Sequence, residues 1–349
     1  MGTRLLITKP REIGYGEYDE RTLKSNEVRL KTIYSGISQG TELTVYRGLN
    51  PYMLKKWDSE KKLFVKSEET SLKFPAESGY EAVGQVIEVG SGVSKVKAGD
   101  VVYGGEWYGW THKTTHILTE DAALRQRMPA HVNPKLGVFV PLLQTSFNGI
   151  LDSQVNLGET TVVFGAGIVG QLALQFLKLS GAEVLVVDLF DERLAIAKEL
   201  GADEVLNGSK INVGEYIKEK TKGRGADVCV EATGNDMALH ESIRCCAYSG
   251  KVICLGFNPN PAHNLNLGEE FHHNRISLVC SQIGGVNPAL LNRWDVYRVE
   301  DAVVKMLYEG KVNLEPLITH EFDFNNGKEA FELADKNPRN ALQILLKYA

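Results

Sequence analysis

The sequence predicts an α/β protein with two domains, the first β-rich and the second built on a doubly wound parallel sheet. The length of 349 residues is about twice that of a typical single domain. To about residue 136, short Val and Ile runs are bounded by Gly, Ser and Asp, which is typical of strands joined by tight turns. From about residue 145, strand-like runs alternate with helical stretches, the pattern of a parallel sheet covered by helices.

The elements of the first part follow from alternation of apolar and polar residues. Segments 4–9, 27–38 and 84–104 are rich in Val, Ile and Leu and are separated by turn-forming residues. They predict an irregular β-barrel or sandwich.

The elements of the second part follow from a change in the spacing of apolar residues along the chain. Residues 160–164 and 183–189 predict strands, and 168–181 and 191–201 predict helices, the latter closed by Gly201 as a C-cap. The series continues with strand, helix, strand and strand over residues 226–282. The last part predicts two helices and a closing strand over 341–348, which we expect to return to the first domain. The predicted domains are therefore 1–144 with 286–349, and 145–285.

Composition excludes several classes of function. Lys and Arg number 39 against 44 for Asp and Glu, a net charge of −5, so no basic excess indicates a nucleic acid partner. No apolar run is long enough to span a membrane, and the charged start does not resemble a signal peptide, so we expect a cytoplasmic protein. The five cysteines lie between Cys229 and Cys280 without a C-x-x-C pair, which favours reduced thiols.

A glycine motif opens the second domain. Gly165, Gly167 and Gly170 form G-x-G-x-x-G between a predicted strand and a predicted helix. The first glycine permits a sharp turn, the second admits a pyrophosphate, and the third lets helix and strand pack closely. The helix begins at Ile168 and Val169, whose N-terminal end favours phosphate. The motif predicts a dinucleotide site in a Rossmann domain.

Asp188 strengthens this prediction. It ends the next predicted strand, where a carboxylate accepts hydrogen bonds from the adenosine ribose hydroxyls. A surface Asp that caps the following helix is the alternative. The first basic residue after it is Arg193, a further candidate for cofactor binding, and the carboxylate would repel a 2′-phosphate. The sequence therefore favours NAD(H) over NADP(H).

The order of these parts resembles the medium-chain dehydrogenase/reductase superfamily over nearly the whole chain. The motifs that carry the resemblance are 36–43 (GISQGTEL), Gly79-Tyr80-Glu81, 231–234 (EATG) and 255–257 (LGF). The resemblance implies a GroES-like catalytic domain beside the Rossmann domain. It also implies cofactor contacts, which are Thr233 and Gly234 near the adenosine, Phe257 and Ser281 near the nicotinamide, and Arg339 near the pyrophosphate. A strand-end turn at 233–234 and a solvated Arg339 are the alternatives.

The resemblance also allows a comparison with the family's catalytic zinc site. The family's catalytic zinc ligands correspond to Gln39, to Tyr80 and to a position within 139–145 (FVPLLQT), and none of these is a usual zinc ligand. We therefore expect a member that lacks zinc and binds no metal. Histidines 112, 116, 272 and 273 offer ligands for a different metal site, although solvated surface positions are favoured for the last two.

Without a metal, the hydroxyl proton needs another acceptor. Thr41 stands where the family has a hydroxyl that binds the substrate oxygen, and Tyr80 is the preferred acid/base or oxyanion donor. Glu42 or Glu81 would orient it, unless both carboxylates simply form a buried ion pair with an arginine such as Arg47. His112 is a candidate to replace the family's relay histidine, whose position holds a threonine, unless it is solvated.

The aromatic segment 104–112 (GGEWYGWTH) indicates either a sugar-binding surface, with Glu106 and His112 bonding hydroxyls, or core packing. The predicted function is a zinc-independent, NAD(H)-dependent interconversion of a secondary alcohol and a ketone on a sugar, cyclitol or related polyhydroxylated small molecule. The alternatives are a quinone or enoyl reductase and a dinucleotide-binding protein without catalysis. We expect a homo-oligomer, a dimer or a tetramer.

Overall fold

The computed structural model describes residues 1–105 and 109–349. The predicted sugar contacts at Glu106, Trp107 and Tyr108 lie outside the described residues.

The strands are β1 (Gly2–Lys9), β2 (Glu12–Tyr18), β3 (Glu27–Ile37), β4 (Lys56–Asp58), β5 (Leu63–Val65), β6 (Glu81–Val89), β7 (Val101–Gly104), β8 (Thr115–Thr119), β9 (Thr160–Phe164), β10 (Glu183–Asp188), β11 (Glu204–Asn207), β12 (Ala226–Glu231), β13 (Cys246–Cys254), β14 (Ser277–Cys280), β15 (Ile318–Asp323) and β16 (Gln343–Lys347). The helices are α1 (Glu42–Tyr46), α2 (Pro51–Leu54), α3 (Glu120–Arg125), α4 (Val140–Ser153), α5 (Ile168–Leu179), α6 (Asp191–Glu199), α7 (Val213–Lys220), α8 (Asp236–Cys245), α9 (Val296–Tyr308) and α10 (Gly327–Lys336). Further helical turns, which are not α-helical, cover Pro134–Phe139, Leu267–Phe271, Pro288–Leu290, Glu315–Leu317 and Phe324–Asn326.

The chain separates into two compact units. The first contains Met1–Pro141 and Ile318–Ala349, and the second contains Leu142–Leu317. The sequence-based boundary at 285 differs from this division, because residues 286–317 belong to the second unit. Their attachment is visible at Asn313, whose amide donates to Gln175 Oε1 at 2.7 Å and whose carbonyl accepts from Gln175 Nε2 at 3.1 Å.

The first unit is built around a mixed sheet of order β15-β16-β3-β6-β7, with β8 also paired to β3. β16 lies antiparallel to β3 and parallel to β15. The prediction that the last strand returns to the first domain is therefore confirmed. The buried apolar core beside this sheet joins Leu5 and Ile37 near the start of the chain to Phe331 and Leu346 near its end.

The second unit is a six-stranded sheet of order β11-β10-β9-β12-β13-β14, in which every pairing is parallel. This order is the 3-2-1-4-5-6 arrangement of a dinucleotide-binding sheet, so the predicted doubly wound fold is confirmed. Gly201 follows α6 with φ +101°, as a C-terminal glycine should. β11 and α7, which lie between α6 and β12, are not among the elements predicted from the sequence.

Within the described residues, no helix combines the length and the apolar character needed to cross a bilayer.

Candidate active site

The turn after β9 has the backbone geometry that a nucleotide phosphate requires. Gly165 has φ +96°, which residues with a side chain rarely adopt. A Cβ on Gly170 would lie 1.8 Å from the Gly165 carbonyl oxygen, so only glycine lets α5 pack this closely on the turn. Gly167 is the N-cap of α5 and supplies no capping side chain, so the helix end at Ile168 and Val169 is open to a ligand.

Asp188 ends β10, and its carboxylate connects two turns. Its Oδ2 accepts from the Ala166 amide at 2.7 Å, and its Oδ1 accepts from the Leu189 and Phe190 amides at 2.7 and 3.0 Å. A carboxylate has about four acceptor positions, so these bonds fix its orientation and leave capacity for a ribose hydroxyl. The N-cap of α6 is Phe190, so Asp188 does not occupy that capping position.

Arg193 lies on α6 beside the phosphate turn. A Cβ on Gly167 would lie 3.7 Å from its Nη1, and its guanidinium carbon is 5.6 Å from the centroid of the Phe190 ring. Burial lowers the pKa of Arg193, and the charge of Asp188 opposes that shift. A guanidinium at this point suits the binding of a phosphate group.

A second turn, after β12, packs against the first. Glu231 is buried and accepts from the amides of Thr233 at 2.6 Å and Gly234 at 3.1 Å, and from the Thr233 hydroxyl. Burial raises the pKa of Glu231. A Cβ on Gly165 would lie 2.6 Å from Thr233 Cγ2, so the two turns are neighbours. Thr233 and Gly234 therefore lie beside the glycine motif.

The remaining predicted cofactor residues follow later strands. Phe257, after β13, is 45% exposed. Ser281, after β14, is buried, and its amide donates to the Cys254 carbonyl at 3.1 Å. Arg339 belongs to the first unit, between α10 and β16. Its predicted contact with a pyrophosphate stays a prediction.

The first unit contains a hollow of about 180 Å³ at the other group of predicted residues. Its lining consists of Thr41, Glu42, Val45, Glu77, Ser78, Gly79, Tyr80 and Trp110. Three of the four predicted catalytic residues therefore share one surface. They come together because α1 starts just after β3 ends, and Tyr80 immediately precedes β6, which pairs with β3.

The fourth residue, His112, lies behind this surface and is fully buried. Its Nε2 is 2.8 Å from Glu42 Oε2, and its Nδ1 is 2.7 Å from Ser35 Oγ, which is 3.0 Å from the Tyr348 hydroxyl. A carboxylate only accepts hydrogen bonds, so Nε2 donates to Glu42, and Nδ1 and the Ser35 hydroxyl form the second hydrogen bond of the ring. The alternative of a solvated His112 is wrong.

Tyr80 and Glu81 are polar neighbours in a region of low solvent access. The Tyr80 hydroxyl forms a short hydrogen bond with Ser38 Oγ. Burial, together with the nearby carboxylates of Glu81 and Glu42, raises the pKa of Tyr80, while hydrogen bonds from Ser38 and Thr41 oppose the shift. Tyr80 is therefore a neutral phenol at neutral pH.

Glu81 is fully buried, and it titrates in a different range from a surface glutamate. Its Oε2 accepts from Gln343 Nε2 at 2.8 Å, and its Oε1 makes no well-formed hydrogen bond within the described residues. Burial and then the charge of Glu42 raise the pKa of Glu81 to about 8, although Ser38 and Gln343 favour the ionised form. A carboxyl with such a pKa exchanges protons near neutral pH.

Arg47 does not form the ion pair with Glu42 or Glu81 that the sequence left open. Its Nε donates to Asp335 Oδ1 at 2.6 Å.

Trp110 is only 2% exposed and belongs to the core of the β-rich unit, so core packing explains this aromatic. A Cβ on Gly104 would lie 2.3 Å from the Trp110 ring, which explains the glycine at that position.

The histidines considered as metal ligands do not converge. His116 is buried with its ring centroid 4.1 Å from that of Trp110, whereas His272 and His273 are exposed, as favoured from the sequence. A different group, His240, Glu269 and Glu270, brings three potential ligand atoms within 4.8 Å of one another.

Comparison with known proteins identifies the family. Residues 24–145 match the model of the alcohol dehydrogenase GroES-like domain, and residues 169–295 match that of zinc-binding dehydrogenases. D-guloside 3-dehydrogenase of Escherichia coli K12 is 31% identical over 347 residues, covering 98% of each chain. The chain belongs to the zinc-type medium-chain dehydrogenase family.

Other members of this family align over most of the chain. Sorbitol dehydrogenase of Halalkalibacterium halodurans is 26% identical over 357 residues, covering 95% of this chain and 94% of that one. Among solved structures, an Escherichia coli oxidoreductase of unknown specificity has a TM-score of 0.79 at 21% identity and covers 100% of this chain and 99% of its own. The family supports a dehydrogenase of alcohols or polyols, and the structural likeness supports the GroES-like and Rossmann-like folds.

Two positions that correspond to zinc ligands in the family are engaged in protein hydrogen bonds. Gln39 Nε2 donates to the carbonyls of Ala341 and Leu342 at 3.1 and 2.6 Å. Tyr80 is bonded to Ser38. An amide and a phenol are poor substitutes for thiolate and imidazole, so this donor set does not fit a catalytic zinc.

Part of the polar network is not apparent from the sequence. This part comprises the contributions of Ser35, Ser38, Gln343 and Tyr348. Gln343 lies 262 residues along the chain from its partner Glu81, and Tyr348 lies 313 residues from its partner Ser35. No local pattern indicates such pairs.

Proposed function

We propose that the chain is a zinc-independent, NAD(H)-dependent dehydrogenase that interconverts a secondary alcohol and a ketone on a sugar, cyclitol or related polyhydroxylated substrate. The observation that carries the proposal is the hollow in the β-rich unit. It combines the Thr41 hydroxyl and the Tyr80 phenol with the carboxylate of Glu42, and buried Glu81 lies directly behind it. The motif resemblance implies that Thr41 corresponds to the family's substrate-binding hydroxyl and Tyr80 to one of its metal-ligand positions.

In this reaction the substrate carbon transfers a hydride to the nicotinamide while its hydroxyl loses a proton. Thr41 and Tyr80 would hydrogen-bond the substrate oxygen. Because the pKa of Tyr80 is raised, the phenol serves as a donor to that oxygen and does not act alone as a base. This narrows the role predicted from sequence, where acid/base catalysis and oxyanion donation were both open.

The preference for NAD(H) is supported by the charge of Asp188 and by its fixed orientation. Three amide hydrogen bonds hold the carboxylate at the end of β10, where the adenosine ribose of a dinucleotide lies in this fold. A 2′-phosphate at that point would meet a fixed negative charge.

Independence of zinc is supported by the donor atoms at the family's ligand positions. Gln39 and Tyr80 both have protein partners, and residues 139–145 offer no thiolate, imidazole or carboxylate. We therefore assign no step to a metal.

The substrate class is supported by the relatives. D-guloside 3-dehydrogenase and sorbitol dehydrogenase are both named for polyhydroxylated substrates. A cytoplasmic location and assembly as a dimer or tetramer remain predictions.

The deciding experiment is an NADH absorbance screen with the purified chain. Glycosides, free sugars, cyclitols and simple alcohols are tested with NAD and NADP, and quinones and enones with NADH and NADPH. The proposal expects turnover of a polyhydroxylated alcohol with NAD. Reduction of only quinones or enones would favour a C=C reductase, and cofactor binding without turnover would indicate a non-catalytic protein.

A further inference from the structure

We propose that His240, Glu269 and Glu270 form a binding site for a divalent transition-metal ion, and that zinc is the ion that suits them best. All three residues belong to the second unit, and none of them lines the hollow of the first unit or corresponds to a zinc ligand of the family. The role of the ion is therefore structural. The proposal differs from the sequence-based expectation of a chain that binds no metal.

Two neighbouring elements of the second unit bring these side chains together. His240 lies on α8, and Glu269 and Glu270 lie in the helical turn that ends at Phe271. Leu239, the residue before His240, and Phe271, the residue after Glu270, both pack against the buried apolar core of the parallel sheet. The packing of these two apolar residues holds the imidazole and the carboxylates beside one another.

The three side chains offer ligand atoms at a separation that an ion can bridge. A nitrogen of His240 and one carboxylate oxygen of each glutamate all lie within 4.8 Å of one another. Zinc binds imidazole nitrogen and carboxylate oxygen at about 2 Å, so its ligand atoms lie roughly 3.3 Å apart. Glu269 is exposed, and its backbone carbonyl, not its carboxylate, contacts His273 Nδ1 at 3.0 Å. Its carboxylate can therefore turn toward an ion.

Two polar atoms of this group are buried without a partner. His240 Nδ1 and Glu270 Oε2 are shielded from solvent, and neither makes a hydrogen bond within the part of the chain that the structure describes. Burial of a polar atom without a partner costs free energy, and coordination of an ion removes that cost. These two atoms distinguish the group from carboxylates that simply face water.

Arg244, one helical turn after His240, places a positive charge near the group but leaves a ligand atom open. Its Nη1 donates to Glu241 Oε2 at 2.7 Å, and its Nε lies 3.6 Å from Glu270 Oε1. The guanidinium therefore faces one oxygen of Glu270, and the other oxygen is the buried Oε2. The two carboxylates of Glu269 and Glu270 balance the charge of a divalent ion.

The donor atoms select the class of ion. Imidazole nitrogen and carboxylate oxygen both suit zinc, whereas magnesium and calcium prefer oxygen ligands alone. Three protein ligands leave the fourth position of a tetrahedral zinc to water. A bound ion connects α8 to the turn that ends at Phe271, and because the unfolded chain lacks this arrangement, binding stabilises the folded unit.

The test is zinc titration of the full-length protein by isothermal titration calorimetry, after dialysis against a chelator. The wild type should bind a single zinc ion per chain at this site. His240→Gln, Glu269→Gln and Glu270→Gln should each weaken the affinity by about tenfold or more, and circular dichroism checks that each variant is folded. Glu269 is exposed, so its substitution is the least disturbing to the fold.

Two exposed controls separate the site from adventitious surface binding. His272→Gln removes an imidazole two positions after Glu270, and Glu199→Gln removes a carboxylate from α6. Both should bind zinc as the wild type does. Zinc binding that survives in His240→Gln and Glu270→Gln, or that is lost as strongly in His272→Gln, would overturn the site.

Thermal unfolding gives a second readout. Zinc at about a hundredfold excess over its Kd should raise the Tm of the wild type by about 5 °C, and the shift should be absent in His240→Gln. Magnesium at the same concentration should leave the Tm unchanged. An equal zinc shift in the wild type and in His240→Gln, or an equal response to magnesium, would refute the proposal. Neither measurement depends on turnover, so the proposed function is tested separately.

Discussion

Glu81→Gln should change how the stability of the protein depends on pH. Burial raises the pKa of Glu81 from an ordinary value of 4.5 to about 8. The folded state therefore holds this proton more tightly than the unfolded state does. The stabilisation is fully present below the unfolded pKa and is lost as pH rises through the folded pKa. Glutamine does not titrate, so the variant lacks this loss.

The size of the effect follows from the two pKa values. The difference between these two pKa values corresponds to about 5 kcal/mol of unfolding free energy at the limit of high pH. Integrated from about pH 5 to about pH 8, the Glu81 contribution to the free energy of unfolding falls by about 3 to 4 kcal/mol. This is a large part of the stability of an ordinary protein, so it is measurable.

Urea denaturation followed by circular dichroism at these two pH values checks the prediction. The quantity compared is the free energy of unfolding of the wild type minus that of Glu81→Gln, because groups distant from Glu81 titrate equally in both proteins. Glu17→Gln, which removes an exposed carboxyl from β2, should keep the wild-type pH dependence. An equal loss of stability in the wild type and in Glu81→Gln would refute the buried-carboxyl argument.

Three further predictions concern the cofactor, the phenol and the metal. Asp188→Asn removes the charge of the side chain and keeps its shape. It should shift the ratio of the affinities for NADH and NADPH by about tenfold or more toward NADPH, measured by fluorescence titration. An unchanged affinity ratio would contradict the ribose role, and Glu199→Gln, at an exposed position of α6, is the control. Tyr80→Phe should lower the turnover number about a hundredfold with unchanged NADH affinity, and wild-type turnover would remove the phenol from the reaction. Chelation of metal ions should leave the activity intact. A loss of activity that added zinc restores would contradict the zinc-free proposal. Activity is measured instead of zinc content, because His240, Glu269 and Glu270 could hold a metal ion away from the proposed site.

The fold could be predicted because its signals are local. The Gly165 turn, the helix that starts at Ile168 and the strand that ends at Asp188 are each set by residues within a few positions. Repetition of strand and helix then determines a parallel sheet. β11 and α7 were missed because they are short and polar, and the boundary near 285 was misplaced because the contacts of Asn313 are tertiary.

The polar site could be predicted only in part. Thr41, Glu42 and Tyr80 lie in motifs, and pairing of β3 with β6 brings those motifs together. The partner of His112 could not be read from sequence, because its hydrogen bond to Glu42 spans 70 residues and is made inside the unit. The same holds for Gln343, which reaches Glu81 only because β16 returns to β3.

Hydrogen-bond donors and buried carboxyl groups meet at the proposed site. In the zinc-independent reaction proposed above, no metal charge stabilises an alkoxide on the substrate, so the hydroxyl groups of Thr41 and Tyr80 are the donors that the hollow offers to its oxygen. Two buried carboxyl groups, Glu42 and Glu81, lie near these donors. Burial and the charge of Glu42 raise the pKa of Glu81, so a proton on Glu81 removes the repulsion between the two carboxylates and lowers the negative charge that an alkoxide would meet.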